Sequence, residues 1–367
     1  MDILTAVRHC FSADYAEARE KFRHHCRAYG VEPKAYVNPN RGPQGEELTT
    51  DAAWFGPKDA KKVLVTLAGT HGVEGFTGSG GQIDWLASGG PLTLPEGVAV
   101  LHIHAINPHG FAWLRRVTEE GVDLNRNHVD FSKPLPENAG YDELADALLP
   151  AELSGPVFEA AEAKIAAYKE KHGLWKFSEA RGGGQYKHPT GFFFGGFGPT
   201  WSRQTAEKIV ADFGVKNADL VCVIDYHTGL GPFGYGEPIC NHPIDGVAVN
   251  RGKAWFGQSV TEPLLGTSSS TAKAGLSEFG WEFMLGEKVT FVALEYGTYT
   301  PEEGRRALRE DHWLHAHTNV DWTDPETQRI KAQIRRQYYP DTDDWKEMVL
   351  FRSRQILRQA QDGLAGS

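Results

Sequence analysis

KVLVTLA, at residues 62–68, is a near-continuous apolar run that indicates the fold class of the chain. Similar runs recur at 98–106 (VAVLHIHAI), 220–225 (LVCVID) and 289–294 (VTFVAL). Continuous aliphatic and β-branched runs of this length are typical of strands covered on both faces, as in a parallel or mixed sheet. Helical patterns lie before, between and after them, at 12–29, 82–87, 157–168, 205–213, 304–318 and 344–358. Strands that alternate with helices predict an α/β sandwich.

The composition is that of a soluble globular protein, with 40% apolar and 23% charged residues among 367. Lys and Arg number 38 and Asp and Glu number 48, so the formal net charge is −10. This balance disfavours a nucleic-acid partner, although a few buried arginines can still bind an anionic substrate. No window has the roughly 18–20 consecutive apolar residues of a membrane span. The cysteines, which form no CxxC pair, favour a reducing cytoplasm; they are Cys10, Cys26, Cys222 and Cys240.

Residues 128–201 interrupt the alternation of strands and helices. This segment carries Pro-rich turns, one helical pattern and then a Gly-aromatic stretch at 181–201, RGGGQYKHPTGFFFGGFGPTW. A long irregular segment within a compact fold is often a functional loop or lid, and an insertion that only packs on the surface is an equal alternative. We expect one domain over 1–367, with 128–201 as an insertion or lid near its site.

The first apolar run leads into a glycine-rich turn, GTHGVEG at 69–75, which contains His71 and Glu74. Ligands of open α/β sheets gather beyond the carboxyl ends of the strands, where this turn is expected to lie. Imidazole nitrogen and carboxylate oxygen are both zinc ligands, and a three-residue separation allows both to reach one ion. A purely structural turn is an equally good interpretation of this pair taken alone.

Two later runs also end in residues with suitable chemistry. The run at 220–225 leads to His227, which could supply a third zinc ligand. The run at 289–294 leads to Glu295, a carboxylate that closes a strongly apolar strand and is therefore expected to face a cleft. There it could act as a general base toward water.

Arginines and asparagines are concentrated between these runs. Arg115 and Arg116 are followed by GVDLNRN at 121–127, which contains Asn125 and Arg126. The planar fork of arginine matches a carboxylate, and asparagine adds a neutral donor. This segment therefore predicts an anion pocket in an otherwise acidic protein.

The motifs resemble those of the zinc carboxypeptidase superfamily in their order along the chain. This order is HxxE, NPxG at 107–110, an arginine, GVDLNRN, a histidine at a strand end and a glutamate at a strand end. The segments IDYHT at 224–228 and LEYG at 294–297 are most similar to its succinylglutamate desuccinylase/aspartoacylase branch. Each motif alone is weak, but six in the right order are a strong signal.

The resemblance implies a role for each matching position. His71, Glu74 and His227 become the ligands of one zinc ion, and Glu295 becomes the general base and proton shuttle. Arg116 becomes the group that stabilises the oxyanion, chosen over Arg115 because nine residues separate it from Asn125. Asn125 and Arg126 become the residues that bind the free carboxylate of the substrate.

The chain also departs from the family pattern. Carboxypeptidases usually have a mobile tyrosine some twenty residues before the base, whereas 266–294 contains none. Tyr186, Tyr235 and Tyr296 are alternatives that the sequence does not separate. The segment at 128–201 matches neither branch.

Other histidines and serines have simpler interpretations. His102 and His104 point to one face of a strand and are expected to be buried and hydrogen-bonded. The histidines of 312–317 are expected on a polar helix face. Ser79 lacks the glycine two residues before it that a nucleophile elbow requires, which argues against a serine hydrolase.

Together these observations predict a three-layer α/β/α sandwich with a mixed, mostly parallel sheet of about eight strands. The predicted function is zinc-dependent hydrolysis of an amide bond in a small-molecule or peptide substrate with a free carboxylate, as in metallocarboxypeptidases. An N-acyl amino acid deacylase of the aspartoacylase/succinylglutamate desuccinylase type is the first alternative. A non-catalytic carboxylate-binding protein is the alternative from another class. The sequence predicts no oligomeric state.

Overall fold

Seven strands form one sheet in the computed structural model, which describes residues 1–367. The strands are β1 (Lys34–Arg41), β2 (Glu47–Phe55), β3 (Lys62–Leu67), β4 (Val98–His104), β5 (Leu220–Phe233), β6 (Gly236–Ile239) and β7 (Val289–Gly297). Their order across the sheet is β1-β2-β4-β3-β5-β7-β6. The four strands β4, β3, β5 and β7 are parallel neighbours, and β1, β2 and β6 complete the edges with antiparallel pairs. The predicted mixed, mostly parallel sheet is confirmed, with seven strands rather than about eight.

Twelve α-helices surround the sheet. They are α1 (Ile3–Cys10), α2 (Tyr15–Arg27), α3 (Gly75–Ala87), α4 (Pro108–Ala112), α5 (Ala139–Leu148), α6 (Gly155–Gly182), α7 (Trp201–Asp212), α8 (Val247–Phe256), α9 (Ser277–Leu285), α10 (Pro301–His317), α11 (Pro325–Tyr338) and α12 (Asp343–Ala365). None of the helices is both long and apolar enough to cross a bilayer.

The sheet has a separate hydrophobic core on each face. Leu64 and Val100 point into a core shared with α1, α2, α3, α8 and α12, whereas Val65 and Leu101 point into a core shared with α7 and α9. Neighbouring residues of one strand reach opposite cores because side chains alternate across a pleated sheet. The predicted α/β/α layering is therefore confirmed, and it explains why these strands read as continuous apolar runs.

The strand β5 is longer than the sequence indicates. Its apolar run ends at Asp225, but the strand continues to Phe233; it pairs with β7 as far as Thr228 and, after a shift of register, again at Phe233. His227 therefore lies inside β5 and not at its end, whereas Glu295 lies near the end of β7 as expected. They stand directly opposite each other in the parallel β5–β7 ladder.

Residues 128–201 contain α5 and α6, and α6 is interrupted at Gly173, whose φ is 84°; the part before Gly173 contains the predicted helix at 157–168. Tyr141, Ile165 and Phe192 form a small core there, together with Leu308 of α10. Arg309 of α10 also donates a hydrogen bond to the carbonyl of Leu148 at 2.9 Å. The segment is thus packed onto α10, and its last loop runs toward the carboxyl edge of the sheet.

Candidate metal centre and substrate pocket

His71 and Glu74 lie in the turn between β3 and α3. A short 3₁₀ turn over Gly72–Glu74 aims both side chains inward, and the Nδ1 atom of His71 lies 3.0 Å from Oε1 of Glu74. The turn packs backbone against backbone on α4, because a Cβ atom on Gly72 would come within 2.0 Å of the carbonyl carbon of Gly110. The glycines of both motifs are therefore needed to bring the turn and α4 together.

His227 completes a cluster with these two residues. Its Nδ1 atom lies 3.2 Å from Nδ1 of His71 and 3.3 Å from Oε2 of Glu74. One potential ligand atom from each of the three residues lies within 4.8 Å of the others. The three predicted ligands, distant in sequence, meet at one buried point.

Carboxylates hold the outer nitrogens of both histidines. The Nε2 atom of His227 lies 2.9 Å from Asp225, and the Nε2 atom of His71 lies 3.1 Å from Asp123. Contacts of this kind orient a metal-binding histidine and fix which nitrogen carries the hydrogen. With hydrogens on the two Nε2 atoms, the Nδ1 lone pairs face each other and Glu74.

This donor set fits a zinc ion. Two imidazole nitrogens and one carboxylate converge there, and nitrogen and oxygen donors of this kind are zinc ligands. Although burial disfavours the charged form, Asp225 and Glu74 raise the pKa of His227 well above its usual value. The cluster thus has an excess of negative charge that attracts a cation.

Arg116 lies against the same cluster. Its Nη1 atom donates to Oε1 of Glu74 at 3.1 Å, its Nε atom donates to Asp123 at 3.0 Å, and its Nη2 atom lies 2.8 Å from Nε2 of His71. Arg115 points elsewhere and pairs with Asp311 at 3.2 Å. Of the two neighbouring arginines, only Arg116 reaches the cluster.

Glu295 faces the cluster from β7. It is 8% exposed, and its Oε1 atom accepts a hydrogen bond from the backbone of Leu230 at 3.1 Å. Burial and the carboxylate of Glu74 raise the pKa of Glu295 to about 7, against the opposing effect of His227. A carboxyl group with such a pKa is suited to proton transfer near neutral pH.

Arg126 is a buried cation without a carboxylate partner. It is 1% exposed, and it donates to the carbonyls of Asn125 at 2.6 Å and Gly182 at 2.8 Å. Its Nε atom is buried and has no hydrogen-bond partner. Burial lowers the pKa of Arg126 to about 10. A buried guanidinium with an unsatisfied donor is expected to have an anionic ligand.

Asn125 and Phe193 lie beside this arginine. The Oδ1 atom of Asn125 accepts a hydrogen bond from the backbone of Ser277 at 2.7 Å, so its amide nitrogen remains available to a ligand. The ring of Phe193 lies 5.3 Å from the guanidinium carbons of both Arg116 and Arg126. Phe193 belongs to segment 128–201, so that segment forms part of the site.

All seven predicted site residues line one cavity of about 340 Å³. The cavity also receives Lys273, Arg181 and Tyr338, which the sequence analysis did not single out. Lys273 and Arg181 follow no motif, and Tyr338 ends an ordinary amphipathic helix, so no local signal marks them.

None of the three tyrosines considered from sequence lines this cavity. The hydroxyl of Tyr186 donates to the carbonyl of Arg126 at 2.7 Å, and that of Tyr296 donates to the carbonyl of Val349 at 3.1 Å. Tyr235 is 45% exposed. The tyrosine in the cavity is Tyr338, because α11 folds back over the carboxyl edge of the sheet.

The other histidines lie away from the cavity. His102 is buried with its Nδ1 atom 2.6 Å from Oγ1 of Thr66, and His104 is buried with its Nε2 atom 2.9 Å from Oγ of Ser79. This contact places Ser79 in the core under β4. Its position is that of a buried structural serine.

A second cluster of metal-binding residue types lies between β6 and α9, and it consists of Cys240, His242 and Glu278. The Nε2 atom of His242 accepts a hydrogen bond from the backbone of Phe291 at 2.8 Å, and its Nδ1 atom contacts Glu282. The two oxygens of Glu278 accept hydrogen bonds from the backbone of Asn241 at 3.0 and 3.1 Å. The polar groups of His242 and Glu278 are thus occupied by backbone amides and by Glu282.

Solved structures are similar to this chain at low sequence identity. Carboxypeptidase A from Helicoverpa armigera superposes with a TM-score of 0.50 at 12% identity, over 96% of this chain and 74% of that one. Bovine thrombin-activatable fibrinolysis inhibitor, solved with a tick carboxypeptidase inhibitor, gives a TM-score of 0.47 at 12% identity, over 96% and 98% of the two chains. Succinylglutamate desuccinylase from Chromobacterium violaceum gives 0.36 at 14% identity, over 88% and 74%. The carboxypeptidase A structure confirms the predicted resemblance to the zinc carboxypeptidase superfamily at the level of the fold.

No curated protein matches the chain in sequence. One sequence family matches residues 11–352, which is nearly the whole chain. Its description is "Protein of unknown function (DUF2817)". The chain belongs to this family and has a zinc carboxypeptidase-like fold.

Proposed function

We propose that the protein is a zinc-dependent hydrolase that cleaves an amide bond beside a free carboxylate and releases an amino acid. One observation carries the proposal: the cluster of His71, Glu74 and His227, the buried carboxyl of Glu295 and the unpaired guanidinium of Arg126 all face one cavity. Each of these groups is costly to bury alone, and together they match the needs of one reaction.

His71, Glu74 and His227 would hold the metal. Zinc bound there would supply Lewis acidity, which polarises a carbonyl and lowers the pKa of water. Asp123 and Asp225 would keep the two imidazoles in the tautomer that presents Nδ1.

Glu295 would move the proton. As a water oxygen attacks the carbonyl carbon, the carboxylate takes one proton from that water. It then gives the proton to the amide nitrogen as the C–N bond breaks, so that the amine leaves neutral. The hydrogen bond from the backbone of Leu230 holds Oε1 in place during both transfers.

Arg116 would stabilise the negative charge that develops on the carbonyl oxygen. To do so, it exchanges its contact with Glu74 for that oxygen while Asp123 keeps its Nε end fixed. Loss of one such donor costs about 10²–10³ in kcat in other hydrolases.

Arg126 and Asn125 would bind the terminal carboxylate. The partnerless Nε atom of Arg126 and the free amide nitrogen of Asn125 are donors without a protein acceptor. A charge-assisted pair with the carboxylate would fix the distance between this end of the substrate and Glu295.

The test combines metal analysis with a substrate panel. We expect about one zinc per chain after dialysis, and hydrolysis of blocked dipeptides or N-acyl amino acids but not of the same compounds with an amidated carboxylate. Arg126→Met should raise KM by about 10–100-fold and leave zinc content unchanged. Arg203→Met, which removes an arginine outside the cavity, is the matched control. Zinc binding with carboxylate binding but no turnover would instead indicate a binding protein.

A deacylase of N-acyl amino acids is the second candidate. The cavity volume of about 340 Å³ is near the lower end of ligand pockets, which span roughly 300–1,000 Å³. A small cavity favours a short acyl group over a peptide. Faster hydrolysis of N-acetyl amino acids than of blocked dipeptides would select this candidate.

A further inference from the structure

A buried network of charged residues lies outside the cavity lining, and none of its side chains has a part in the chemistry described above. Asp311 of α10 is the fully buried carboxylate at its centre. The Oδ2 atom of Asp311 accepts a hydrogen bond from Nε of Arg115 at 3.2 Å, and the Oδ1 atom accepts one from the ammonium of Lys331 in α11 at 2.6 Å. The carboxylate therefore joins α10 both to α11 and to the segment that follows α4.

Two histidines beside Asp311 are neutral near pH 7. The ammonium of Lys331 also donates to Nε2 of His315 at 2.8 Å, and the Nδ1 atom of His312 donates to a backbone carbonyl at 3.1 Å. Burial lowers the pKa of His315 to about 2 and that of His312 to about 4, against the opposing effect of Asp311. Asp311 is the one carboxylate with which Arg115 and Lys331 pair, so both cations depend on it.

The backbone of Arg115 and Arg116 holds the turn that carries two of the candidate metal ligands. The amide of Val73 donates to the carbonyl of Arg115 at 2.9 Å, and the amide of Gly72 donates to the carbonyl of Arg116 at 3.2 Å. These two amides lie in the chain between the two ligands of the turn. The placement of residues 115–116 therefore determines the placement of both ligands.

The same segment follows a residue in an unfavourable backbone conformation. Leu114 has a φ of 50°, in the left-handed region that bulky residues rarely adopt. After it, the side chain of Arg115 points to Asp311, whereas that of Arg116 points to the candidate metal centre. A backbone conformation of this kind persists only where surrounding contacts hold it. The buried ion pair of Arg115 with Asp311 is such a contact, directly beside Leu114.

We propose that Asp311 and Arg115 are positioning residues of the reaction centre. Their ion pair fixes residues 115–116, and this segment in turn places the metal-binding turn and the guanidinium of Arg116. The inference rests on the proposed function, since it concerns the same site. It assigns neither residue a contact with metal or substrate, so both act through the groups that they place.

The alternative is that the network only stabilises the fold, and Lys331 separates the two interpretations. Arg115 and Lys331 are both buried, and each binds one oxygen of Asp311. They differ in what they hold, because Arg115 belongs to the segment beside the metal-binding turn and Lys331 belongs to α11. Removal of either cation leaves Asp311 with the other, so neither change creates an unpaired buried carboxylate.

The experiment compares Arg115→Met with Lys331→Met in the full-length protein. With zinc in excess, Arg115→Met should lower kcat by about 10–100-fold through misplacement of Arg116, while KM stays near the wild-type value. Zinc affinity, measured by competition with a chelator, should fall by about 10-fold. Lys331→Met should keep kcat and zinc affinity near wild-type values. Arg115→Lys, which keeps the charge but not the planar fork, should retain part of the kcat that Arg115→Met loses.

A double variant tests whether Arg115 acts through Arg116. With zinc in excess, Arg115→Met combined with Arg116→Met should have the same kcat as Arg116→Met alone, because a misplaced group that is absent cannot be misplaced further. A kcat that falls by the product of the two single effects would overturn the inference.

Hydrogen exchange supplies a readout that needs neither substrate nor zinc. The peptide 69–76 contains the amides of Gly72 and Val73, which donate to the carbonyls that the ion pair is proposed to fix. Exchange of this peptide, followed by mass spectrometry, should be faster in Arg115→Met than in Lys331→Met. Equal exchange in the two variants would overturn the inference.

The outcomes also separate this inference from the proposed function. If the wild type hydrolyses none of the compounds, the proposed function is wrong, and exchange in the peptide 69–76 still tests the positioning role. If the wild type is active and the two variants lose kcat and zinc affinity to the same extent, only the inference is wrong. In that case the network stabilises the fold without placing the reaction centre.

Discussion

The chain contains two buried clusters of metal-binding residue types. They differ in whether hydrogen bonds leave a histidine nitrogen available to bind a metal. In the cluster of His71, Glu74 and His227, carboxylates hold the outer imidazole nitrogens, and the inner nitrogens converge on Glu74. In the cluster of Cys240, His242 and Glu278, a backbone amide occupies Nε2 of the histidine and Glu282 contacts Nδ1. The first cluster lines the cavity and the second does not.

The comparison shows that residue types and spacing do not by themselves make a metal site. A histidine can bind a metal only with a lone pair that no hydrogen-bond donor already uses. By this criterion the first cluster can bind a cation. The second is a hydrogen-bonded structural network that joins β6, α9 and β7. Both descriptions can be tested by substitution.

Loss of a ligand from the first cluster should have the largest effect. His227→Ala removes one of three donors, so zinc affinity should fall by more than the roughly 100-fold seen for supporting residues, and turnover should disappear with the metal. Zinc per chain after dialysis, measured by mass spectrometry, checks this. His242→Ala is the matched control. Full zinc content in His227→Ala would show that the third ligand lies elsewhere.

Glu295→Gln should separate chemistry from metal binding. The amide cannot accept the proton of water, so kcat should fall by about 10²–10⁴, while zinc content stays at the wild-type level. The measurement pairs single-turnover rates with metal analysis of the same sample. Unchanged kcat would reject Glu295 as the base.

Asp225→Asn should have an intermediate effect, because it removes no ligand and alters the carboxylate that supports His227. Loss of this carboxylate should weaken zinc binding by about 10–100-fold, measured by competition with a chelator. Asp245→Asn replaces an exposed aspartate and controls for the change of net charge. If both variants bind zinc like the wild type, the contact between Asp225 and His227 does not tune the site.

His242→Gln should have the smallest effect on function. The variant should keep one zinc per chain and wild-type kcat, while the free energy of unfolding falls by about 1–3 kcal/mol as the backbone amide of Phe291 loses its acceptor. Denaturant unfolding and metal analysis check this. A drop from two zinc ions to one would show that the second cluster also binds metal.

Much of the fold and of the candidate site could be predicted from local sequence. The four central strands are covered on both faces, so nearly all of their residues are apolar and each strand can be recognised in the sequence as an apolar run. Short motifs that follow those runs contain His71, Glu74 and Arg126. Their position in the chain after parallel strands indicates that these residues lie at the same edge of the sheet.

The missed features depend on distant contacts. The strand β5 continues past Gly229 and Pro232, which locally indicate a turn, because Phe233 pairs with Gly297 of β7 after a shift of register. Lys273 enters the cavity only because Glu237 anchors its loop, and Tyr338 enters only because α11 folds back over the sheet. No residue-level pattern encodes such placements.

The direct pairing of His227 with Glu295 in the β5–β7 ladder has a consequence for how this protein can diversify. Neighbouring strands lie about 4.8 Å apart in any sheet, so the spacing between these two groups is a property of the main chain and is insensitive to most side-chain changes. The loops that carry Phe193 and Lys273 have no such constraint. Mutational libraries confined to those loops are therefore expected to yield variants that have new substrate preferences and retain an intact reaction centre.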